Sequence, residues 1–291
     1  VGGALAAAAS LQFGTIVVLG KKVLERGMSV ESMLAARFGV AAVLLAAVLV
    51  ALRRPLLAEA GERRGLAVLA FVGYAAESAL FFTAARHGTA AAVTLLFFTY
   101  PVYVTVGIWL VGRGVPARLT VLSLALAVLG AGVVAGTGAG LEVQAAGVAF
   151  AIASALTYSA YLVGSDLVLR RTSPLTSAMW VSAGASLGLL TFAALTGRLT
   201  GPQAPADWWA ILGMGVASAG AFVCLLGALQ RIGAVRTAIV SATEPLSAAL
   251  LAYLFLDESV SLGTAFGGAL ILVAAIAASM GRASSQEQQI P

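Results

Sequence analysis

Apolar runs of roughly twenty residues, the length an α-helix needs to cross the hydrocarbon core of a bilayer, follow one another along this chain with little between them. They fall at 3–20, 32–52, 65–85, 89–111 and 117–136, and again at 146–163, 175–196, 209–229, 235–255 and 261–280. Only 10% of the 291 residues are charged and 60% are hydrophobic, with a mean hydropathy of +1.01, so no water-soluble shell can be drawn over the chain. The expectation is an all-α integral membrane protein of ten transmembrane helices. The segments between runs carry loop chemistry, as in Arg53-Arg54-Pro55, Arg86-His87-Gly88 and Arg170-Arg171-Thr172-Ser173-Pro174. The polar C-terminal tail, 282–291, is expected to be disordered.

Sliding the chain against itself by 144 residues pairs Gly3 with Gly147, Ala9-Ser10 with Ala153-Ser154, Gly20 with Gly164 and Arg54 with Arg198. The same offset pairs Pro101 with Pro245, Leu110 with Leu254 and Thr120 with Thr264. Matches at one offset across five successive spans indicate a duplication. The first repeat is placed at 3–140 and the second at 146–281. The first run is Ala-rich, as a cleaved leader would be, but its likeness to the sixth run reads as a retained span. An odd number of helices per repeat forces the second repeat to enter the membrane upside down, giving two inverted five-helix repeats. On the side of both termini the connecting segments carry 11 Lys and Arg, against 5 on the other. The positive-inside rule therefore places both termini in the cytoplasm.

Composition also removes several chemistries. The single Cys224 excludes an internal disulfide and a multi-cysteine metal site, and the lone His87 removes most imidazole catalysis. No metal, cofactor or catalytic residue is expected. The basic balance, pI ≈ 9.8, reflects loop charges that set topology, so nucleic acid is not an expected partner. Gly184 to Gly188 and Gly263 to Gly267 have the GxxxG spacing that permits close helix approach, a pattern chance also supplies when Gly numbers 33. No Walker-type or strand-anchored GxGxxG phosphate loop is present.

The most informative pattern lies in spans 4 and 9, as Phe98-Thr99-Tyr100-Pro101 and Ala242-Thr243-Glu244-Pro245. A mid-helix proline removes one backbone hydrogen bond and crowds the preceding turn, which makes Pro101 and Pro245 natural hinges. The freed carbonyls must be satisfied by protein or cavity water. Few charged residues fall inside the spans, and Arg37, Glu77 and Glu244 are the clear ones. Such a charge costs on the order of 2.5–3.5 kcal/mol at the bilayer centre, so a cavity or a partner is its expected neighbour. Glu244 is suited to a substrate ammonium or a proton. Glu77 suits either role, or a neutral helix contact, and Arg37 reads as structural, paired with a carboxylate or helix-end carbonyls. Gln12, Tyr74, Tyr100, Tyr103, Tyr158 and Tyr161 are candidates for an amphipathic cavity, although for each taken alone helix packing is the better reading. Trp208 and Trp209 read as interface anchors. His87, in the turn after span 3, is a solvated turn residue or lines an entrance.

With these features together the chain resembles the drug/metabolite transporter superfamily, in particular ten-helix permeases built of two EamA-type repeats. The residues that carry the likeness are Val235 to Glu258, with the mid-helix Glu-Pro and Asp257-Glu258, the corresponding Thr89 to Arg113, and Arg37-Phe38. Arg113 departs from the pattern, standing where an acidic residue often ends span 4. Phe71-Val72-Gly73-Tyr74 and Tyr100-Pro101 are similar to segments of aromatic amino acid exporters of bacterial inner membranes. That resemblance implies a multi-pass inner-membrane carrier, not an enzyme, exporting aromatic or hydrophobic amino acids or similar amphipathic metabolites. Spans 3, 4, 8 and 9 would rock against the rest. Tyr74, Tyr100 and Tyr158 match the cavity aromatics by position, with Ser241 and Glu244 on the adjoining motif. The alternative is a nucleotide-sugar or phosphorylated-metabolite exchanger, which needs basic groups in the cavity; Arg37 is the one candidate. The expected partners are the bilayer and a small solute. Substrate, proton coupling and oligomeric state are left open.

Overall fold

The computed structural model describes residues 1–88, 90–136, 143–256 and 262–280. The segment Asp257-Glu258 and the tail 282–291 lie outside the described residues. Among the described residues, ten helical spans follow the ten apolar runs. They are α1 (Gly2–Glu25), α2 (Val30–Ala51), α3 (Arg63–Ala85), α4 in two halves (Ala90–Phe97 and Tyr100–Leu110), α5 (Arg118–Gly136), α6 (Ala145–Val168) and α7 (Pro174–Leu195). The stretch Pro205–Ser241 holds α8 and the first half of α9, separated at Gly233, whose φ of 75° and ψ of 170° are not helical. The second half of α9 is Glu244–Leu256, and α10 is Leu262–Met280. By length and hydropathy α2, α3, α6, α7 and the α8–α9 stretch can each cross a bilayer. Large apolar side chains such as Val43, Leu129, Val216 and Phe266 point outward, an arrangement that lipid rewards and water would penalise.

The helices begin and break in ways that repeat at the sequence offset. Ser29 caps α2 by accepting from the Ser32 amide (3.2 Å), and Ser173, 144 residues later, caps α7 by accepting from the Thr176 amide (3.1 Å). Such a cap satisfies one of the four orphan amides of a helix start and is worth about 1 kcal/mol. Both proline helices break just before the proline: α4 between Phe97 and Tyr100, α9 between Ser241 and Glu244. In each break the threonine hydroxyl turns back onto the carbonyl three residues earlier, Thr99 to Leu96 (2.6 Å) and Thr243 to Val240 (2.8 Å). The carbonyl of Ser241, which Pro245 deprives of its helical donor, instead accepts from the Ser10 hydroxyl of α1 at 3.4 Å.

Loop contacts show which connections share an end of the bundle. At one end Glu31, opening α2, pairs with Arg86 after α3 (2.6 Å) and Arg198 after α7 (3.1 Å), while Arg26 after α1 pairs with Asp207 of α8 (2.5 Å). At the other, the Glu62 carboxylate before α3 accepts the amides of Arg170, Arg171 and Thr172 after α6 at 3.0, 2.8 and 2.9 Å. Arg26 and Arg170 are repeat mates, and Glu62 and Asp207 differ from the offset by one residue, so one latch appears twice on opposite ends. This is the geometry of an inverted duplication.

Burial would raise the pKa of Glu62, but the Thr172 hydroxyl and the three loop amides outweigh it and hold the carboxyl below its usual 4.5. A depressed carboxylate contributes stability that is present above the ordinary pKa and lost as pH falls through the folded value. Glu62→Gln is expected to destabilise the solubilised protein by about 1–3 kcal/mol near pH 7, the worth of hydrogen bonds to a charged group. The gap from the unaltered chain should close on acidification below pH 4.5, read as apparent Tm against pH. A gap constant with pH would remove the ionised latch.

Candidate functional site

The centre of the bundle is a contiguous cluster of rings drawn from six spans. Tyr74 of α3 meets Phe222 of α8 (5.0 Å between centroids), Tyr161 of α6 (5.4 Å) and Phe38 of α2 (5.5 Å), all edge-on. Tyr100, at the break of α4, meets Tyr158 of α6 at 4.8 Å, and Phe97 lies against both. Phe13 of α1 reaches Phe222 at 5.9 Å. Edge-to-face pairs of this kind are favourable because the positive ring edge faces the negative ring face. Tyr74, Tyr100 and Tyr158 are only 7%, 1% and 7% exposed, so the ring cluster is packed shut.

Polar groups border the cluster on defined elements. Tyr100 donates its hydroxyl to the carbonyl of Ala238 (3.3 Å), tying α4 to α9, while its own carbonyl accepts from Ser159 of α6 (3.0 Å). Glu77 is buried in α3 and accepts from Ser78 (3.0 Å) and from Ser154 of α6 (3.4 Å). Glu244 is half-buried in the first turn of the second half of α9 and interacts electrostatically with Glu77 and Arg37. The hydroxyls of Thr237 and Ser218 are buried with no hydrogen-bond partner among the described residues, and Ser241 is buried beside Tyr100. Gln12 donates to Ala8 in its own helix (2.9 Å) and lies 3.8 Å from the Cys224 sulfur of α8. Gly220 keeps that space open, since a Cβ there would run into the Gln12 side-chain oxygen.

Several expectations change in detail. Arg37 does not take a carboxylate in a salt bridge: its guanidinium lies over the Phe38 ring, 4.3 Å from the centroid, and its buried Nε has no hydrogen-bond partner. Tyr103 is half-buried and packs on the core beside the cluster, without a ring contact among those described. His87 is not a free turn residue. Its Nδ1 is 3.3 Å from Gln144, its ring stacks on Phe150 at 6.0 Å, and its carbonyl accepts from the Gln144 amide (2.8 Å), which joins the α3–α4 turn to the start of the second repeat. Trp208 and Trp209 are exposed on the first turn of α8. Phe97, Phe222 and Phe13 were not expected at the site. Phe222 is signalled only by being a lone ring in the run Ala217 to Leu226 of small and aliphatic residues.

A bundle of ten spans in two inverted repeats, broken at paired prolines beside a buried polar and aromatic centre, defines a membrane transporter. The model of the EamA-like transporter family matches the chain twice, over residues 1–136 and 145–280, and the chain belongs to that family. It is 29% identical over 215 residues to an uncharacterized transporter of Archaeoglobus fulgidus, covering 74% of each chain. An uncharacterized transporter of a Synechocystis strain is 29% identical over 190 residues, 63% of this chain and 56% of that one. A solved crystal structure superposes with a TM-score of 0.80 over 96% of both chains at 20% identity, a likeness of fold.

Proposed function

We propose that this transporter exports amino acids with aromatic or apolar side chains, or similar amphipathic metabolites, across a bacterial inner membrane by alternating access, with both termini in the cytoplasm. The observation that carries this reading is the tyrosine cluster at the two proline breaks, bordered by Glu77 and Glu244. Rings with polar tips can enclose an apolar side chain and hydrogen-bond a head group, and a half-buried carboxylate can receive an ammonium. Pro101 and Pro245 serve as the hinges. Gln12, Tyr74, Glu77, Tyr100, Tyr103, Tyr158, Ser241 and Glu244 form the cavity wall once the rings part. His87, beside Phe150, lines the opposite entrance. The halves 3–140 and 146–281 supply equivalent moving arms, α3 with α4 and α8 with α9.

The test is uptake of radiolabelled phenylalanine and threonine into proteoliposomes, with a sugar nucleotide for comparison, with and without a pH gradient. Saturable amino acid flux without sugar-nucleotide flux is the expected result, and sugar-nucleotide exchange by folded protein would overturn the substrate class. Tyr100→Ala should lower the flux roughly two- to tenfold, the worth of one edge-to-face ring pair. Unchanged flux would take Tyr100 out of the cavity.

A further inference from the structure

Arg113 and Asp166 stand outside the aromatic centre, and transport as described above makes no use of them. Arg113 follows the second half of α4, where Gly112 adopts φ 76° and Gly114 φ 91°, left-handed conformations that end the helix and turn the chain back toward α6. Its Nη1 contacts Oδ2 of Asp166, near the end of α6, at 2.5 Å, with the two side chains 23% and 10% exposed. Oδ1 of the same carboxylate lies beside Gly233, 3.8 Å from where a Cβ would stand there, at the point where the first half of α9 begins. One side chain on an unbroken helix thus holds the outer ends of both half-helices that hinge at the proline breaks. A cavity of about 270 Å³ lies at this junction, lined by Arg113, Asp166, Arg170, Gln230 and Gly233.

We propose that Asp166 is the lock of the mouth at the end of the bundle that carries the α2–α3 and α6–α7 loops. The Arg113–Asp166 pair holds the α4 half-helix, and the packing of the same carboxylate beside Gly233 holds the start of α9, and both release when that mouth opens. The inference rests on the alternating-access reading. An ion pair this sheltered closes a gate strongly, because separating it leaves two partly desolvated charges, yet it has a low-cost open state once water enters the mouth and solvates both. In sequence the offset of 144 pairs Arg113 with Asp257 and Asp166 with Lys22, so the repeat-related positions carry one basic and one acidic residue with the signs exchanged between repeats.

The experiment uses the full chain in a Cys224→Ser background with one reporter, Ser241→Cys, beside Tyr100. It is labelled by a membrane-impermeant thiol reagent from each face in oriented vesicles. Asp166→Asn is expected to raise labelling from the locked mouth on the order of fivefold or more and to lower it from the other face. Arg113→Gln should act in the same direction while leaving the Asp166 carboxylate in place beside Gly233, which separates loss of the ion pair from loss of the carboxylate itself. The exchange Arg113→Asp with Asp166→Arg should return labelling toward its starting distribution. Reporter labelling from both faces that none of these substitutions redistributes would overturn the lock alone. Labelling confined to one face in every variant would overturn alternating access and the lock with it.

Discussion

Glu244→Gln should lower amino acid flux roughly tenfold to a hundredfold while leaving the protein inserted and monodisperse, because a hydrogen bond between charged partners is worth about 1.5–3 kcal/mol. The carboxyl stands at the first residue after the α9 break, half-buried, with Glu77 and Arg37 in electrostatic reach. Among the described residues its side chain makes no salt bridge or hydrogen bond, so an isosteric amide changes no direct contact and alters only its electrostatic interaction with Glu77 and Arg37. What it removes is the charge available to an ammonium or a proton. Flux assayed with phenylalanine in proteoliposomes, beside circular dichroism of the same preparation, separates the two effects. Full flux in Glu244→Gln would move the recognising group to Glu77, whose two serine donors already hold it in place.

The second large effect is structural. Gly184→Ala should destabilise the bundle by about 1–3 kcal/mol, the usual penalty for overpacking a tight contact. A Cβ at residue 184 would lie 2.6 Å from the Cβ of Ala70 and 2.8–2.9 Å from the backbone of Ala70 and Phe71. Gly188, one turn on, is equally close to Ala75 and to the Phe71 carbonyl. The opposing surface is the wide π-helical turn Leu69–Tyr74 of α3, which pushes its backbone toward α7 and places Tyr74 in the ring cluster. Backbone cannot swing aside as a side-chain tip can, so the clash outweighs the gain of about 1 kcal/mol that alanine normally brings to a helix. Gly61→Ala, with nothing within 4 Å of the added carbon, is the neutral comparison. Equal apparent Tm values for the two variants would show that α3 and α7 can separate at no cost.

Much of the architecture is legible in the sequence because the bilayer leaves a chain few options. Every backbone polar group must be satisfied within a span, so twenty apolar residues must form a helix wherever they occur, and ten such runs give ten spans. Repetition at 144 residues with an odd number of spans then dictates inversion. The two prolines mark where α4 and α9 break, since a missing amide acts locally and needs no tertiary partner.

What the sequence leaves undecided is every question of which side chain meets which. The spacing of Gly184 and Gly188 permits close approach, but the π turn of α3 makes it. Arg37, expected to pair with a carboxylate or with helix-end carbonyls, rests on the Phe38 ring instead, a placement that only the packed bundle fixes. His87 is bound to the second repeat by a residue 57 positions away, a contact that no local pattern announces. The tyrosines were recognisable as candidates, whereas Phe97, Phe222 and Phe13 became part of the centre only through helix rotation. In a chain so rich in Ala and Leu, hydrophobicity is nearly uniform around each helix. The sequence therefore determined the number, order and inversion of the spans, and tertiary packing alone decided which face of each turns inward.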